Sequence, residues 1–223
     1  MADDRYSDPA AGGSGATPSA DLDPVSNWNL PNALTTLRIL LVPVFGWLLL
    51  SDGGEDTGLR VWAFVVFVVA ILTDKIDGEL ARRRNLITDF GKLMDPIADK
   101  ALTGMAFIGL SIIGELWWWV TILVLGREVG ITLMRFWVIR YGVMPASRGG
   151  KIKTTLQAVA LSAFILPLRD LDGAWASVGD VLWWLAVIVM AAAVVVTLVT
   201  GADYVRDAIR LRREGKAAER AAS

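Results

Sequence analysis

Four aspartates lie close together in this sequence, where one strongly apolar segment ends and the next begins. The apolar run V-W-A-F-V-V-F-V-V-A-I-L (61–72) continues into T-D-K-I-D-G-E-L-A-R, and G-K-L-M-D-P-I-A-D follows after eight residues. A charged side chain at bilayer depth costs roughly 2.5 to 3.5 kcal/mol on insertion scales. Such charges indicate either that the helix has reached water or that the carboxylates have a function.

Helical spacing places these carboxylates on two helix faces. Asp74 and Asp77 are three residues apart, and Asp95 and Asp99 are four apart on the following helix, so each pair shares one face. A short loop folds the two helices back on each other, and we expect the four side chains to converge near the membrane surface. Unpaired carboxylates at that spacing would repel one another until some were protonated. A divalent cation, or a pair of them, removes this conflict.

Oxygen ligands alone predict a hard metal ion. The chain contains no histidine and no cysteine, which excludes disulfides, thiolate nucleophiles and imidazole or thiolate zinc sites. Mg²⁺ or Mn²⁺ is then expected, and such ions usually bind a few carboxylates together with substrate phosphates. Gly78, Ala81 and Gly91 leave room for a bulky group on the same helix faces, and Arg82 can donate two parallel hydrogen bonds to a phosphate. The sequence therefore predicts a phosphate-bearing substrate.

The whole chain has the composition of a membrane protein. Its 223 residues are 54% hydrophobic with a mean hydropathy of +0.50, and the charges lie in short stretches between apolar runs. A net charge of −1 provides no basic field for a nucleic acid. At about 20 residues a span, the pattern predicts an all-α integral membrane protein with six transmembrane helices. These spans are 32–50, 59–80, 92–113, 117–140, 151–168 and 178–200.

Three regions are predicted along the chain. Residues 1–26 are rich in Gly, Ala, Ser, Pro and Asp, which is typical of a disordered tail, and no signal peptide is expected because the first apolar run begins only after Pro31. Residues 27–205 form the six-helix catalytic domain, and residues 206–223 form a basic C-terminal tail. Lysine and arginine concentrate in that tail and in the second and fourth connections. The positive-inside rule therefore predicts that both termini and the four aspartates are cytoplasmic.

The aspartate segment carries a resemblance to a known family. Its residues read D-x-x-D-G-x-x-A-R, eight residues, then G-x-x-x-D-x-x-x-D, with all eight fixed positions present, and this pattern resembles the signature of the CDP-alcohol phosphotransferases. The resemblance implies the fold of that family with six transmembrane helices, a homodimer and a site for two metal ions. It also implies transfer of a phosphatidyl group from a CDP-linked lipid to an alcohol, with release of CMP.

The same resemblance assigns roles to individual residues. Asp99 would be the base that takes the proton of the attacking hydroxyl, in addition to being a metal ligand. The metal ligands implied are Asp74, Asp77, Asp95 and Asp99. The CDP-binding residues implied are Asp77, Gly78, Ala81, Arg82 and Gly91.

The acceptor alcohol must be recognised elsewhere, and cations of the fourth and fifth spans are the candidates. Arg127 and Arg135 lie eight residues apart on one helix face, in the stretch G-R-E-V-G-I-T-L-M-R. Lys151 and Lys153 follow in the stretch G-G-K-I-K-T-T-L-Q. Four cations near the membrane plane predict an anionic acceptor. The alternative for the two lysines is that they only anchor the loop to anionic headgroups.

Both stretches resemble the branch of the family that makes phosphatidylglycerophosphate, and so does the earlier stretch L-P-N-A-L-T-T-L-R-I-L-L-V-P-V-F. The similarity covers about residues 29–160, and it implies CDP-diacylglycerol as donor and sn-glycerol 3-phosphate as acceptor, in a bacterial plasma membrane. Branches that use inositol phosphate or serine, or that make cardiolipin, remain alternatives. A cation transporter is the alternative from another class, because intramembrane acids also mark ion pathways. The second half of the chain, however, lacks a corresponding acidic motif.

Overall fold

Six α-helices make up most of the part of the chain that the structure describes. The structure, a computed structural model, describes residues 30–83, 89–138 and 149–222, and helix is the only regular secondary structure within those ranges. The all-α prediction is thereby confirmed, whereas the predicted N-terminal tail (1–26) lies outside the described residues. The helices are α1 (Leu30–Leu50), α2 (Thr57–Arg83), α3 (Asp89–Ile112), α4 (Trp118–Val138), α5 (Gly149–Ile165) and α6 (Ala176–Ala222).

The protein is an integral membrane protein. Within the described ranges, three helical stretches are long and apolar enough to cross a bilayer: Asn32–Gly54, Thr57–Asp74 and Gly173–Glu214. They coincide with the first, second and sixth predicted spans. The third, fourth and fifth spans correspond to α3, α4 and α5 and stay predictions, since α5 has only 17 residues and α3 and α4 carry charged residues along the segments.

Large apolar side chains cover much of the outer surface. Trp47, Trp62, Phe136 and Trp184 are each at least 60% exposed, although a soluble protein rarely exposes contiguous apolar surface on this scale. Lipid chains are the natural contact for these faces.

The core forms where α1 packs against both α2 and α3, while α5 packs against α2 and α6, and α4 packs against α6. The rings of Phe45 and Phe67 lie 5.3 Å apart between α1 and α2. Gly109 lets α3 approach α1, because a Cβ atom there would lie 2.7 Å from Leu49 Cδ2. Small residues at helix contacts are the usual way in which membrane helices come close together.

The sixth helix is longer than hydropathy predicts. The predicted span ends at residue 200, whereas α6 has 47 residues and continues through the predicted basic tail to Ala222. Part of this extension packs against α4, where the Arg212 guanidinium lies 4.4 Å from the ring centroid of Trp137. Ala, Arg, Glu and Lys all favour helix, so the polar segment extends the helix although it ends the apolar pattern.

A buried arginine joins three elements at the end of the bundle where α2 begins. Arg60 is 2% exposed and its Nη1 atom lies 2.6 Å from Glu115 Oε1, in the connection between α3 and α4. Its Nε donates to the Ile165 carbonyl at 3.1 Å and its Nη2 to the Phe164 carbonyl at 2.9 Å. The last carbonyls of a helix have no partner within the helix, so Arg60 caps α5 while it pairs with Glu115.

Replacing Arg60 with methionine should lower the free energy of unfolding by about 3 kcal/mol or more, because it leaves Glu115 without its buried partner and α5 without its cap. Thermal unfolding of the protein in detergent micelles measures the effect. Arg206→Met is the matched control, since the Arg206 side chain is 81% exposed and exposed pairs contribute little. Equal unfolding midpoints for the two variants would contradict the assignment of Arg60 as a structural clamp.

Candidate active site

One cavity between the helices is lined by six charged side chains of the described residues. Its volume is about 530 Å³, and helices α1 to α5 all contribute to its wall. Apolar side chains such as Phe67, Phe107 and Leu161 form part of the lining. The charged lining residues are Arg38, Asp74, Asp99, Lys100, Glu128 and Lys153. We call this space the central cavity.

Two of the four predicted metal ligands line the central cavity. Asp74 lies near the end of the apolar part of α2 and Asp99 lies in the first half of α3, and both line the cavity. The charged groups that act on the Asp99 carboxylate are Asp74, Arg38, Lys153 and Glu128. Asp74 and Asp99, which lie on consecutive helices, therefore share one site. The side chains of Asp77 and Asp95 lie outside the described part.

Arg38 of α1 fixes the position of Asp74. Its side chain is 1% exposed, and its Nη1 atom lies 2.5 Å from Asp74 Oδ1, while the Asp74 side chain remains 41% exposed. A guanidinium is always charged, so this buried arginine pairs with the Asp74 carboxylate and orients it. Asp74 also lines the central cavity.

The ligand type at this site fits a hard divalent cation. Asp74 and Asp99 supply carboxylate oxygens, the donors that Mg²⁺ and Mn²⁺ prefer. Among the described side chains, no group of three or more acids is close enough to hold a metal. Asp77 follows Asp74 by one helical turn in α2, and Asp95 precedes Asp99 by one turn in α3, as the spacing predicts. The four-ligand site itself stays a prediction.

The predicted CDP-binding residues fall on the same two helices. Asp77, Gly78, Ala81 and Arg82 belong to α2, and Gly91 belongs to the first turn of α3. Helix in both segments agrees with the sequence prediction. Their side chains and surroundings lie outside the described residues, so their role in binding CDP stays a prediction.

Lys153 is the predicted acceptor cation that lines the central cavity. It lies in the first turns of α5 with 4% of its surface exposed, and its ammonium donates to Glu128 Oε1 of α4. The same Glu128 oxygen lies 3.0 Å from Arg127 Nη1. An ammonium this deeply buried needs a partner, and the Glu128 carboxylate provides it.

The structure places the other three predicted acceptor cations outside the cavity lining. Arg127 donates to Thr200 Oγ1 of α6 at 3.0 Å, and Arg135 donates to the Tyr204 hydroxyl at 3.4 Å. Both guanidinium groups lie within 6 Å of the Tyr204 ring centroid. Lys151 is exposed. The shared helix face of Arg127 and Arg135 thus points towards α6, and Arg127 reaches the cavity only through Glu128.

Sequence reasoning missed several polar residues of the cavity. Arg38, Glu128 and Lys100 line it, and Lys100 links α3 to α4 by donating to Thr132 Oγ1 at 2.7 Å. Gln157, which is 4% exposed, also lines it and donates to Thr197 Oγ1 at 3.2 Å. The cost of a charge within an apolar span, which singled out Asp74, applies equally to Arg38 and Glu128. The same criterion could therefore have identified Arg38 and Glu128 from the sequence.

Comparison with known proteins identifies the family. The sequence model for CDP-alcohol phosphatidyltransferases matches residues 28–199, which include every helix that lines the central cavity. The chain belongs to the CDP-alcohol phosphatidyltransferase family. The family predicted from the aspartate spacing is thereby confirmed, and the protein is an enzyme of this family rather than a cation transporter.

Individual relatives of this CDP-alcohol phosphatidyltransferase carry more specific names. A protein of Mycobacterium tuberculosis named "probable phosphatidylglycerophosphate synthase" is 50% identical over 182 residues, or 82% of each chain. A Bacillus subtilis protein named "CDP-diacylglycerol--glycerol-3-phosphate 3-phosphatidyltransferase" is 35% identical and covers 79% of this chain and 93% of its own. An Escherichia coli protein of the same name is 38% identical over 60% of this chain and 75% of its own.

Proposed function

We propose that the protein is a phosphatidylglycerophosphate synthase, which transfers a phosphatidyl group from CDP-diacylglycerol to sn-glycerol 3-phosphate and releases CMP in phospholipid biosynthesis. Relatives at 50% and 35% identity carry this activity in their names. The structural observation that carries the choice of acceptor is Lys153, a buried ammonium that lines the same cavity as Asp74 and Asp99. A phosphate-bearing acceptor would be bound at Lys153 with its hydroxyl directed towards the aspartates.

The aspartate side of the cavity would bind and activate the donor. Asp74, Asp77, Asp95 and Asp99 would hold one or two Mg²⁺ or Mn²⁺ ions. Bound there, these ions would offset the charge of the diphosphate and of the departing CMP. Arg38 would keep the Asp74 carboxylate oriented through their 2.5 Å ion pair. The CDP moiety would lie against the α2 and α3 positions Asp77, Gly78, Ala81, Arg82 and Gly91.

Asp99 would act as the general base. The acceptor hydroxyl oxygen forms a bond to the phosphorus that carries the diacylglycerol, the bond from that phosphorus to the CMP oxygen breaks, and the hydroxyl proton moves to the Asp99 carboxylate. Asp99 suits this role because it is exposed to the cavity, and the charges of Arg38, Asp74 and Lys153 all act on its carboxylate. A correctly positioned base of this kind contributes roughly 10² to 10⁴ in rate.

The acceptor side would rely on Lys153 for direct contact with the phosphate. An ammonium has three N–H donors, and the structure shows one of them bound to Glu128. Arg127 would act from behind Glu128, to which it is paired at 3.0 Å. Arg135 and Lys151 remain part of the proposed acceptor site as contributors to the positive potential at its edge.

Topology and assembly complete the proposal. We infer six transmembrane spans, a homodimer, and location in a bacterial plasma membrane with both termini and the active site cytoplasmic. The charge asymmetry of the connections supports this orientation. The central cavity lies towards the end of the bundle where α2 finishes and where α3 and α5 begin, and the basic connections lie at this end. Arg60 and Glu115 lie towards the other end of the bundle. The small residues Gly126 and Gly130 on α4 offer one surface for close helix contact.

An acceptor panel tests the proposed function. Purified protein would be given CDP-diacylglycerol and Mg²⁺ with, in turn, sn-glycerol 3-phosphate, inositol phosphate, serine or phosphatidylglycerol, and CMP release and the lipid product would be measured. We expect release of CMP with formation of phosphatidylglycerophosphate only with glycerol 3-phosphate. Turnover with inositol phosphate, serine or phosphatidylglycerol instead would replace the proposed acceptor with that alcohol.

A further inference from the structure

The Glu128 carboxylate is held in place by two cations that bind its Oε1 atom, while its Oε2 atom is available to a ligand. Lys153 and Arg127 both bind its Oε1 atom, from α5 and from the adjacent position of α4. In the part of the chain that the structure describes, no side chain donates to Oε2. The side chain is 28% exposed and lines the central cavity. A ligand in the cavity can therefore donate a hydrogen bond to an oxygen that is already held in place.

A phosphate dianion is a poor partner for Oε2. Two anions in contact repel each other strongly where water is scarce. A hydroxyl, in contrast, donates one hydrogen bond to a carboxylate, and such charge-assisted bonds are stronger than those between neutral groups. Glu128 therefore favours a ligand that presents both a phosphate, for Lys153, and a hydroxyl close to that phosphate.

Resting on the proposed function, we propose that Glu128 binds the secondary hydroxyl of glycerol 3-phosphate and thereby presents the primary hydroxyl to Asp99. Glycerol 3-phosphate carries a phosphate, a secondary hydroxyl and a primary hydroxyl on successive carbons. Lys153, Glu128 and Asp99 line one cavity, and the charges of Lys153 and Glu128 both act on Asp99. Three neighbouring side chains thus match the three functional groups of one small molecule. Glu128 is a specificity-determining residue in this arrangement.

The deoxy analogue 3-hydroxypropyl phosphate isolates this contact, because it lacks only the secondary hydroxyl. The wild-type protein should use it with a kcat/KM lower than that for glycerol 3-phosphate by about tenfold or more, the effect of losing one hydrogen bond to a charged group. In Glu128→Ala the two acceptors should become nearly equal, because neither can make the bond. CMP release from CDP-diacylglycerol with each acceptor gives both ratios.

A purely structural role predicts a different result. If Glu128 only holds Lys153 and Arg127 in place, Glu128→Ala lowers kcat/KM for both acceptors by the same factor, the ratio stays at its wild-type value, and the proposal is overturned. Arg38→Lys is the control, since damage to the donor side should leave the acceptor ratio unchanged. If Glu128→Ala does not fold, Glu128→Asp withdraws the carboxylate by one carbon and should also lower the ratio; an unchanged ratio there overturns the proposal.

The test separates this inference from the proposed function. A wild-type protein that releases no CMP with glycerol 3-phosphate contradicts the proposed function. A wild-type protein that uses glycerol 3-phosphate and its deoxy analogue equally well leaves the function standing and overturns the role of Glu128.

Discussion

Asp99→Asn should lower kcat for CMP release by about 100-fold or more, because an amide cannot accept the proton of the acceptor hydroxyl. The amide keeps the size of the side chain and one neutral oxygen ligand. We therefore expect CDP-diacylglycerol binding and part of the Mn²⁺ binding to survive. Equilibrium binding of both ligands, measured beside single-turnover CMP release, separates the loss of the base from the loss of the site.

The neighbouring aspartates should behave differently. Nearly all activity should be lost at every metal concentration in Asp74→Asn, Asp77→Asn and Asp95→Asn. Each of these changes removes a metal ligand, and binding of CDP-diacylglycerol should be lost with it. Asp203→Asn is the control, because Asp203 lies on an exposed part of α6, where it pairs only loosely with Arg206 at 3.6 Å. Robust turnover by Asp99→Asn would refute its role as the base.

Lys153→Met should raise the KM for glycerol 3-phosphate by about tenfold or more, since a charged hydrogen bond to phosphate contributes roughly 1.5 to 3 kcal/mol. The KM for CDP-diacylglycerol should hold, because Lys153 lies on α5 while the donor residues lie on α2 and α3. Initial rates with each substrate varied in turn provide both constants. Misplacement of the acceptor hydroxyl would also appear as a lower kcat.

The other predicted cations provide a graded comparison. Arg127→Ala should impair acceptor use through Glu128, and Lys151→Met should have a smaller effect than Lys153→Met because Lys151 is exposed. Arg206→Met, which removes an exposed cation of α6, controls for a general loss of positive charge. If the acceptor KM is unchanged in Lys153→Met, the phosphate site must lie elsewhere and the choice of alcohol reopens.

The helices of this protein are predicted well from the sequence, because local patterns of apolar residues determine where they lie. Apolar runs locate the helices, and Asp74 and Asp99, which the sequence predicts to share a site, line one cavity. The partner of a side chain cannot be predicted in this way, because it depends on which helix packs against the one that carries it. Arg127 and Arg135 do share a face, but that face meets Thr200 and Tyr204 of α6, and nothing in the local spacing of α4 reveals this.

The ion pair between Arg38 and Asp74 could not be predicted from spacing either. The two residues are far apart in the chain and meet because α1 packs against α2. The full length of α6 is also beyond hydropathy, for a different reason. Loss of apolar residues after residue 200 marks the end of a lipid-facing stretch, whereas the helix itself depends on backbone propensity, which stays favourable to Ala222.

The length of α6 has a practical consequence for work with this protein. At about 1.5 Å per residue, a continuous helix of 47 residues measures roughly 70 Å, more than twice the hydrocarbon thickness of a bilayer. A fluorescent protein or affinity tag joined directly after Ala222 would therefore be carried on a stiff rod rather than on a flexible tether. Its distance from the lipid surface would be set by the helix, which makes this end a suitable attachment point for distance measurements by energy transfer to labelled lipids.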